Sequence, residues 1–458
     1  MEIKKNLYYA LVAQIIMLVV SCSTNLILPK FVSTESFSYW QLFIFYITYI
    51  PCLALGLNDG VYLRYGGKHE SELDCKSIKS QYIVGMIYQI ILAIIVGGVL
   101  ISLAEDNKRK IIMVLVIGYY IVYTGHNFLG YIFQAINKTY VYSKSIIIDR
   151  TIFFTAQIIL IVLGIKNITF FSDFYIVSLS CAWLFLIISI YPYFKNTPIN
   201  LMLGLSEAIK SMKIGISLMF ANVCSLLILG VGRQIIDSHW GLAVFGKVSF
   251  SLTLINFALT FILQISMVLF PALRRINGNE LRIYYSKLAK GLYIILPLMY
   301  ILYLPAQYVL KIWLPNYSES IDYLSIILPI CFFDSKMNLL GITFFKVLNE
   351  QVALLRVNIL TIIFSLISGV IAAYVFNSIN GVIIGMVSAI VFRSVLSNII
   401  LSKKINVRIL DIDCLDILLA LVFILTNIIF NWWISCSLIV GIYILRISIL
   451  SRLSLSNI

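Results

Sequence analysis

Fourteen stretches of largely apolar residues, most of them 20 or more long, follow one another along this chain, and no other feature limits its fold as strongly. At 1.5 Å per residue, about 20 residues cover the roughly 30 Å of hydrocarbon in a bilayer. A helix is the continuous structure that satisfies its own backbone there. Spans are expected at 7–28, 38–63, 81–103, 111–135, 145–165, 170–193, 213–236, 242–270, 288–311, 321–345, 353–376, 381–401, 414–431 and 433–450. The last two flank a polar break, Asn427 to Trp433, and read as a tight hairpin appended to a twelve-span core. Composition agrees, with 61% hydrophobic and 12% charged residues. The mean hydropathy of +0.99 lies outside the range of soluble domains. The expected fold class is an all-α membrane protein of about 14 transmembrane helices.

Basic residues test the span assignment independently, because cytoplasmic loops collect Lys and Arg. With the N-terminus inside, 24 of the 34 basic residues fall in cytoplasmic loops or at cytoplasmic helix ends, Arg150 and Arg446 among them. Six fall outside and four (Arg233, Lys247, Lys336 and Arg393) within spans. Trp40, Trp240, Trp313, Trp432 and Trp433 fall at outer span ends, the interfacial position that an amphipathic ring prefers. Both termini are expected to be cytoplasmic, in the inner membrane of a bacterial cell. The N-terminal apolar run is too long for a signal-peptide core and lacks a clear cleavage site, so it counts as the first span.

The formal charge of +14 belongs mostly to this loop bias, and no aromatic-basic motif for nucleic acid accompanies it. Eight cysteines are scattered singly, without metal-ligand spacing. The stretch KNTPINLMLGLSEAIKSMK divides the chain into an N-terminal bundle at 1–194, a cytoplasmic linker at 195–212, a C-terminal bundle at 213–402 and a hairpin at 403–458. Each bundle opens with a span carrying an embedded Asn, Asn25 or Asn222, followed by a span ending in basic residues. Two pseudo-symmetric six-helix bundles are a transporter plan, with the substrate path between them.

Charges at bilayer depth cost about 2.5–3.5 kcal/mol each on the insertion scale, so each asks for a partner or an aqueous cavity. Asp334 and Lys336 are two residues apart, about 200° around a helix, and each must look to another helix or a cavity. An interhelical ion pair is the structural alternative for either. Arg233 and Lys247 lie near the outer interface, where snorkelling is the alternative. Asp237, four residues beyond Arg233, can neutralise it as an exposed pair, and Arg393 sits in the cytoplasmic half of its span. Asp59 and Arg64 close the second span, either as helix caps or as cavity charges. Bases outnumber acids in this set, which favours a cationic cavity and an anionic cargo. Asn25, Asn58, Asn127, Gln134 and Asn222 are candidate polar cavity residues, with helix–helix contacts as the alternative. His126 is a core histidine or a proton relay.

No catalytic machinery accompanies these charges. The chain has no phosphate-binding GxxxxGK[ST] loop, no nucleophile elbow and no carboxylate pair on a soluble domain. No cofactor and no metal site is expected, and transport is the reading that remains.

Leu55 to Lys68, LGLNDGVYLRYGGK, resembles the end of the second helix in Wzx-type polysaccharide repeat-unit flippases. QAINKTYVYSKSIIIDR at 134–150, GVGRQIID, FGKVSFSLTLINF and the run to LFPALRR resemble the same family. That family belongs to the multidrug/oligosaccharidyl-lipid/polysaccharide (MOP) exporter superfamily, so the resemblance implies two six-helix bundles forming a V around a central cavity. It implies a cargo of polyprenyl-pyrophosphate-linked oligosaccharide, moved to the outer leaflet by alternating access during O-antigen, capsule or exopolysaccharide synthesis. Membrane lipids, a polysaccharide polymerase and chain-length machinery are the implied partners. Arg233, Lys247 and Lys336, with Arg64 and Arg393, become the candidate headgroup contacts. Asp59 or Asp334 becomes the candidate for coupling to a proton or sodium gradient. The appended hairpin resembles that of fourteen-span lipid II flippases. A drug/cation antiporter of the same superfamily, which would prefer acidic cavity residues, and a non-transporting scaffold for polysaccharide synthesis are the alternatives.

Overall fold

The computed structural model describes residues 2–66, 72–273, 278–348, 350–405, 407, 410–429 and 432–455, and the regular structure among them is entirely helical. The chain separates into two compact units, Met1–Leu226 and Leu227–Ile458. Of the motifs quoted above, Gly67 and Lys68 of the first and Arg274 and Arg275 of the last lie outside the described residues.

Unit 1 begins with α1 (Glu2–Cys22), continues through a π-helical turn at Ser23–Ile27 into α2 (Leu28–Phe31), and proceeds to α3 (Thr34–Leu53) and α4 (Leu57–Tyr65). α5 (Cys75–Leu103), α6 (Asn107–Ala135), α7 (Thr139–Val162) and α8 (Ile168–Phe194) follow, then the first half of α9 (Leu201–Trp240). Short polar residues start these helices by accepting an otherwise orphaned N–H. Ser33 accepts from Ser36 at 3.1 Å, Asp74 from Ser77 at 3.1 Å and Asn167 from Thr169 at 3.1 Å. The expected span 38–63 is broken: Leu55 and Gly56 take positive φ (46° and 76°), and α3 meets α4 at 54°. Pro51, which has no N–H to donate, sits just before the break. Aromatic packing fills part of this unit, with Trp40 stacked on Phe153 at 6.1 Å and edged by Tyr175.

The stretch expected as a linker is helical from Leu201 onward and docks on α5. Asn200 caps it by accepting from the Leu203 N–H at 3.0 Å, and the Asn200 N–H donates to Ser80 Oγ at 3.0 Å. The division between units falls inside α9.

Unit 2 continues with α10 (Leu242–Leu273), α11 (Gly278–Ile295), α12 (Leu298–Trp313) and α13 (Ser318–Lys336). A π-helical turn at Met337–Ile342 leads to α14 (Thr343–Val347). α15 (Gln351–Val370), α16 (Ile379–Ile405), α17 (Leu410–Ile429) and α18 (Trp432–Leu455) complete it. α11 and α12 are parts of one expected span, separated at Leu296 and Pro297.

Among the described residues, eleven helices are long and apolar enough to cross a membrane, or twelve when the bent pair α3–α4 counts as one. The first twelve expected spans coincide with these. α17 and α18 occupy the last two expected positions without belonging to that set. The chain is a multi-pass membrane protein.

Candidate functional site

In unit 1 the segment Gly56 to Arg64 is a docking device. Gly56 and Gly60, four apart, lie directly against Gly215 and Ser211 of α9, and a Cβ at either glycine would meet α9 backbone atoms. Small residues at this spacing let two helix backbones come together. Arg64 then fastens α4 by donating to the Glu207 carbonyl at 3.0 Å and to Ser211 Oγ at 2.9 Å, and by an ion pair with the Glu207 carboxylate. Gln81 of α5 donates to the same Ser211 Oγ at 2.7 Å. Arg64 is therefore committed to Glu207.

Asn58 is buried and lines a small pocket with Leu57, Tyr82, Gln89 and Thr124. Asp59 is half-buried on α4 and has no ion-pair partner among the described residues. Asn127 is buried and donates to the Tyr123 hydroxyl at 3.2 Å. Gln134 is half-buried in the last turn of α6. Asn25 lies in the π-helical turn and donates to Ser21 Oγ at 3.0 Å. Asn222 is exposed on α9. His126 is buried, 3.0 Å from Ser145 Oγ, with its ring against Tyr142. Arg150, expected at a cytoplasmic helix end, instead lies midway along α7. It pairs with Asp149 at 3.2 Å and donates to the Tyr175 hydroxyl at 3.1 Å, while Asp149 accepts from Ser178 at 2.7 Å.

Unit 2 holds a buried ion-pair web that the sequence reading missed. Lys336, at the end of α13, donates to Asp413 and to Asp416 of α17, both at 2.5 Å. Asp416 also accepts from Arg446 of α18, and Asp413 accepts from Asn398 of α16 at 2.8 Å. Lys336, Asp413, Asp416 and Arg446 are each no more than 4% exposed. Two cations and two anions balance, so the web carries no net charge. Arg446 Nε donates to the Tyr293 carbonyl at 3.2 Å, and its guanidinium lies 3.5 Å over the Tyr293 ring. That carbonyl is the one whose helical donor would be residue 297, a proline with no N–H. The Tyr443 hydroxyl donates to the next carbonyl, Ile294, at 3.1 Å. α18 thus completes the hydrogen bonding of the α11–α12 break.

Two expectations change. Lys336 does not present its charge to a cavity, because its ammonium is held by two buried carboxylates. Arg393 is likewise internal, with Asn358 at 3.0 Å and Asp334 at 3.4 Å, so Asp334 is ion-paired too. The expected excess of buried bases came from a count that left out Asp413, which immediately precedes the expected thirteenth span, Asp416 in its first turn, and Arg446, assigned to a cytoplasmic helix end. The separation of the two aspartates by three residues, which puts both on one helix face, was the available signal.

Arg233 and Lys247 are placed differently. Arg233 Nε donates to Ser249 Oγ at 3.0 Å, with the guanidinium 5.2 Å over Phe245. Asp237, one turn further along α9, is buried rather than exposed as expected. Lys247 pairs with Glu319 at 2.5 Å in a solvent-accessible position. Among the described residues no group of three or more His, Cys, Asp or Glu side chains is arranged to hold a metal ion.

No family model matches the chain, and no curated protein matches it. Solved structures do. The chain is similar to the lipid II flippase MurJ in an inward closed conformation, with a TM-score of 0.68 at 12% identity over 98% of both chains. It is similar to a multidrug resistance MATE family transporter of the MOP superfamily in an inward-facing conformation, with a TM-score of 0.66 at 13% identity. That match covers 84% of this chain and 94% of the other. A MATE structure in a bent conformation matches with a TM-score of 0.55 at 13% identity, over 88% of this chain and 96% of that one. The fold is that of MOP-type transporters.

Proposed function

We propose that this protein is a flippase that carries polyprenyl-pyrophosphate-linked oligosaccharide from the cytoplasmic to the outer leaflet by alternating access, for surface polysaccharide synthesis. The observation that carries the reading is the α17–α18 hairpin, built into unit 2 by the buried Lys336–Asp413–Asp416–Arg446 web. A twelve-span exporter has no such pair. The lipid II flippase is matched over 98% of this chain, where the multidrug transporter is matched over 84%.

Arg233 and Lys247 are the proposed contacts for the pyrophosphate. Lys247 is held by an exposed pair with Glu319, a kind of contact worth only about 0–1 kcal/mol. A pyrophosphate with several negative oxygens can replace that carboxylate at little cost. Lys336 and Arg393, with buried counter-ions, cannot be released so cheaply.

Complementation of a bacterial strain that lacks its repeat-unit flippase but carries the cognate sugar pathway tests the proposal. Wild type should restore surface polymer. Arg233→Ala and Lys247→Ala, at matched membrane levels, should leave lipid-linked intermediate on the inner face. Failure of wild type to restore polymer sinks the flippase reading; full activity of both variants sinks only the residue assignment.

A further inference from the structure

α6 carries Tyr119, Tyr123, Asn127 and Tyr131 at four-residue intervals, an arrangement that keeps successive side chains close along one side of a helix. Twelve residues of helix set the end members about 18 Å apart. Tyr119 stacks on Tyr123 with ring centres 5.5 Å apart, and Asn127 donates to the Tyr123 hydroxyl at 3.2 Å. Tyr131 meets Tyr62 of α4 at 5.8 Å, and Tyr62 is 42% exposed. The row therefore runs from an exposed end at Tyr62 to a buried end at Tyr119, which is 7% exposed. Asp59 precedes Tyr62 by three residues on α4, which keeps the two side chains on neighbouring faces of that helix, and it has no ion-pair partner among the described residues.

Resting on the flippase reading above, we propose that this row in unit 1 is a saccharide subsite, where pyranose rings stack on Tyr62, Tyr131 and Tyr123 and Asp59 accepts hydrogen bonds from sugar hydroxyls. Two features select an oligosaccharide over the competing ligand, an organic cation. A cation is held in a compact cage of rings around one point. Here Tyr123 and Tyr131 stand eight residues, about 12 Å, apart along α6 with Tyr62 beside Tyr131, so the rings can meet successive sugar units rather than one point. Each tyrosine also pairs an apolar face with a polar hydroxyl, which suits a ligand whose surface alternates C–H faces and O–H edges. A carboxylate, with two acceptor oxygens, can take two neighbouring hydroxyls at once.

The test uses the purified full-length protein in lipid nanodiscs. The probe is the lipid-free, phosphate-free oligosaccharide released by mild acid from the producing cell's own surface polysaccharide, detected by saturation-transfer NMR and titration. Inorganic pyrophosphate and tetraphenylphosphonium are titrated in parallel. Wild type should bind the oligosaccharide. Tyr123→Ala and Tyr131→Ala should each weaken it about two- to tenfold, as loss of an aromatic contact does, and Tyr131→Phe, which keeps the ring and loses only the hydroxyl, should weaken it less than Tyr131→Ala. Asp59→Asn should weaken the oligosaccharide while leaving pyrophosphate binding unchanged. Thermal midpoints equal to wild type establish that each variant folds. Oligosaccharide binding indifferent to all these substitutions, or absent while pyrophosphate binds, overturns the subsite and leaves the flippase reading standing. Binding of tetraphenylphosphonium alone, lost in Asp59→Asn, overturns both.

Discussion

At the scale of single residues, the most demanding positions are glycines and buried charges. Gly60 has Ser211 backbone where a side chain would go, and backbone cannot swing aside as a side chain can. Gly60→Val should cost about 1–3 kcal/mol, the usual penalty of overpacking, seen as a lower thermal midpoint in detergent. Gly98 is the matched control: apart from its chain neighbours and its own helix backbone, no atom lies within 4 Å of where a Cβ would stand, and Gly98→Ala should be neutral or slightly stabilising. Asp416 serves both Lys336 and Arg446 from a buried position. Asp416→Ala should cost about 3–5 kcal/mol because it leaves two buried cations short of a partner. Asp322→Ala removes the exposed Lys311–Asp322 pair and should change stability by no more than about 1 kcal/mol. Equal losses for the two aspartates would contradict this account of the web.

At the scale of elements, the hairpin α17–α18 is a structural member of unit 2, joined through α13, α16 and the carbonyls at the end of α11. A chain ending before Asp413 loses both carboxylates of Lys336. Such a chain should reach the membrane at a fraction of wild-type abundance. Lys336→Met in the truncated chain should recover part of that loss, since it removes the uncompensated charge and keeps the volume. Quantitative immunoblotting of membrane fractions decides the point: no recovery would mean that the hairpin's packing, not the charge, carries the effect. The α3–α4 break shows a different balance, in which Pro51 and the left-handed Leu55–Gly56 corner end one helix and glycine contacts hold the next in place.

At the scale of the whole molecule, the helical class and the position of nearly every span were legible, because about 20 apolar residues between basic loops leave a chain in lipid few options. The breaks were less so. Pro51 and Pro297 mark them, but a proline says only that a donor is missing, not whether the helix bends or stops. Pairings were least legible. Lys336 and Arg393 announced themselves as costly charges, yet their partners lie 77 and 59 residues away in sequence, and nothing local couples them. Arg150 and Arg446 passed as loop residues because the positive-inside rule accepts any basic residue near a span end. The same long separations set an order of events during synthesis. At about 5–20 residues per second, Lys336 is synthesised about 4–15 s before Asp413. For that interval the ribosome holds a half-built unit 2 with an ammonium that has no carboxylate and a proline break that has no guanidinium. α17 supplies the carboxylates and α18 the guanidinium, so pulse-labelled α13 should gain protease resistance only after both helices have left the ribosome.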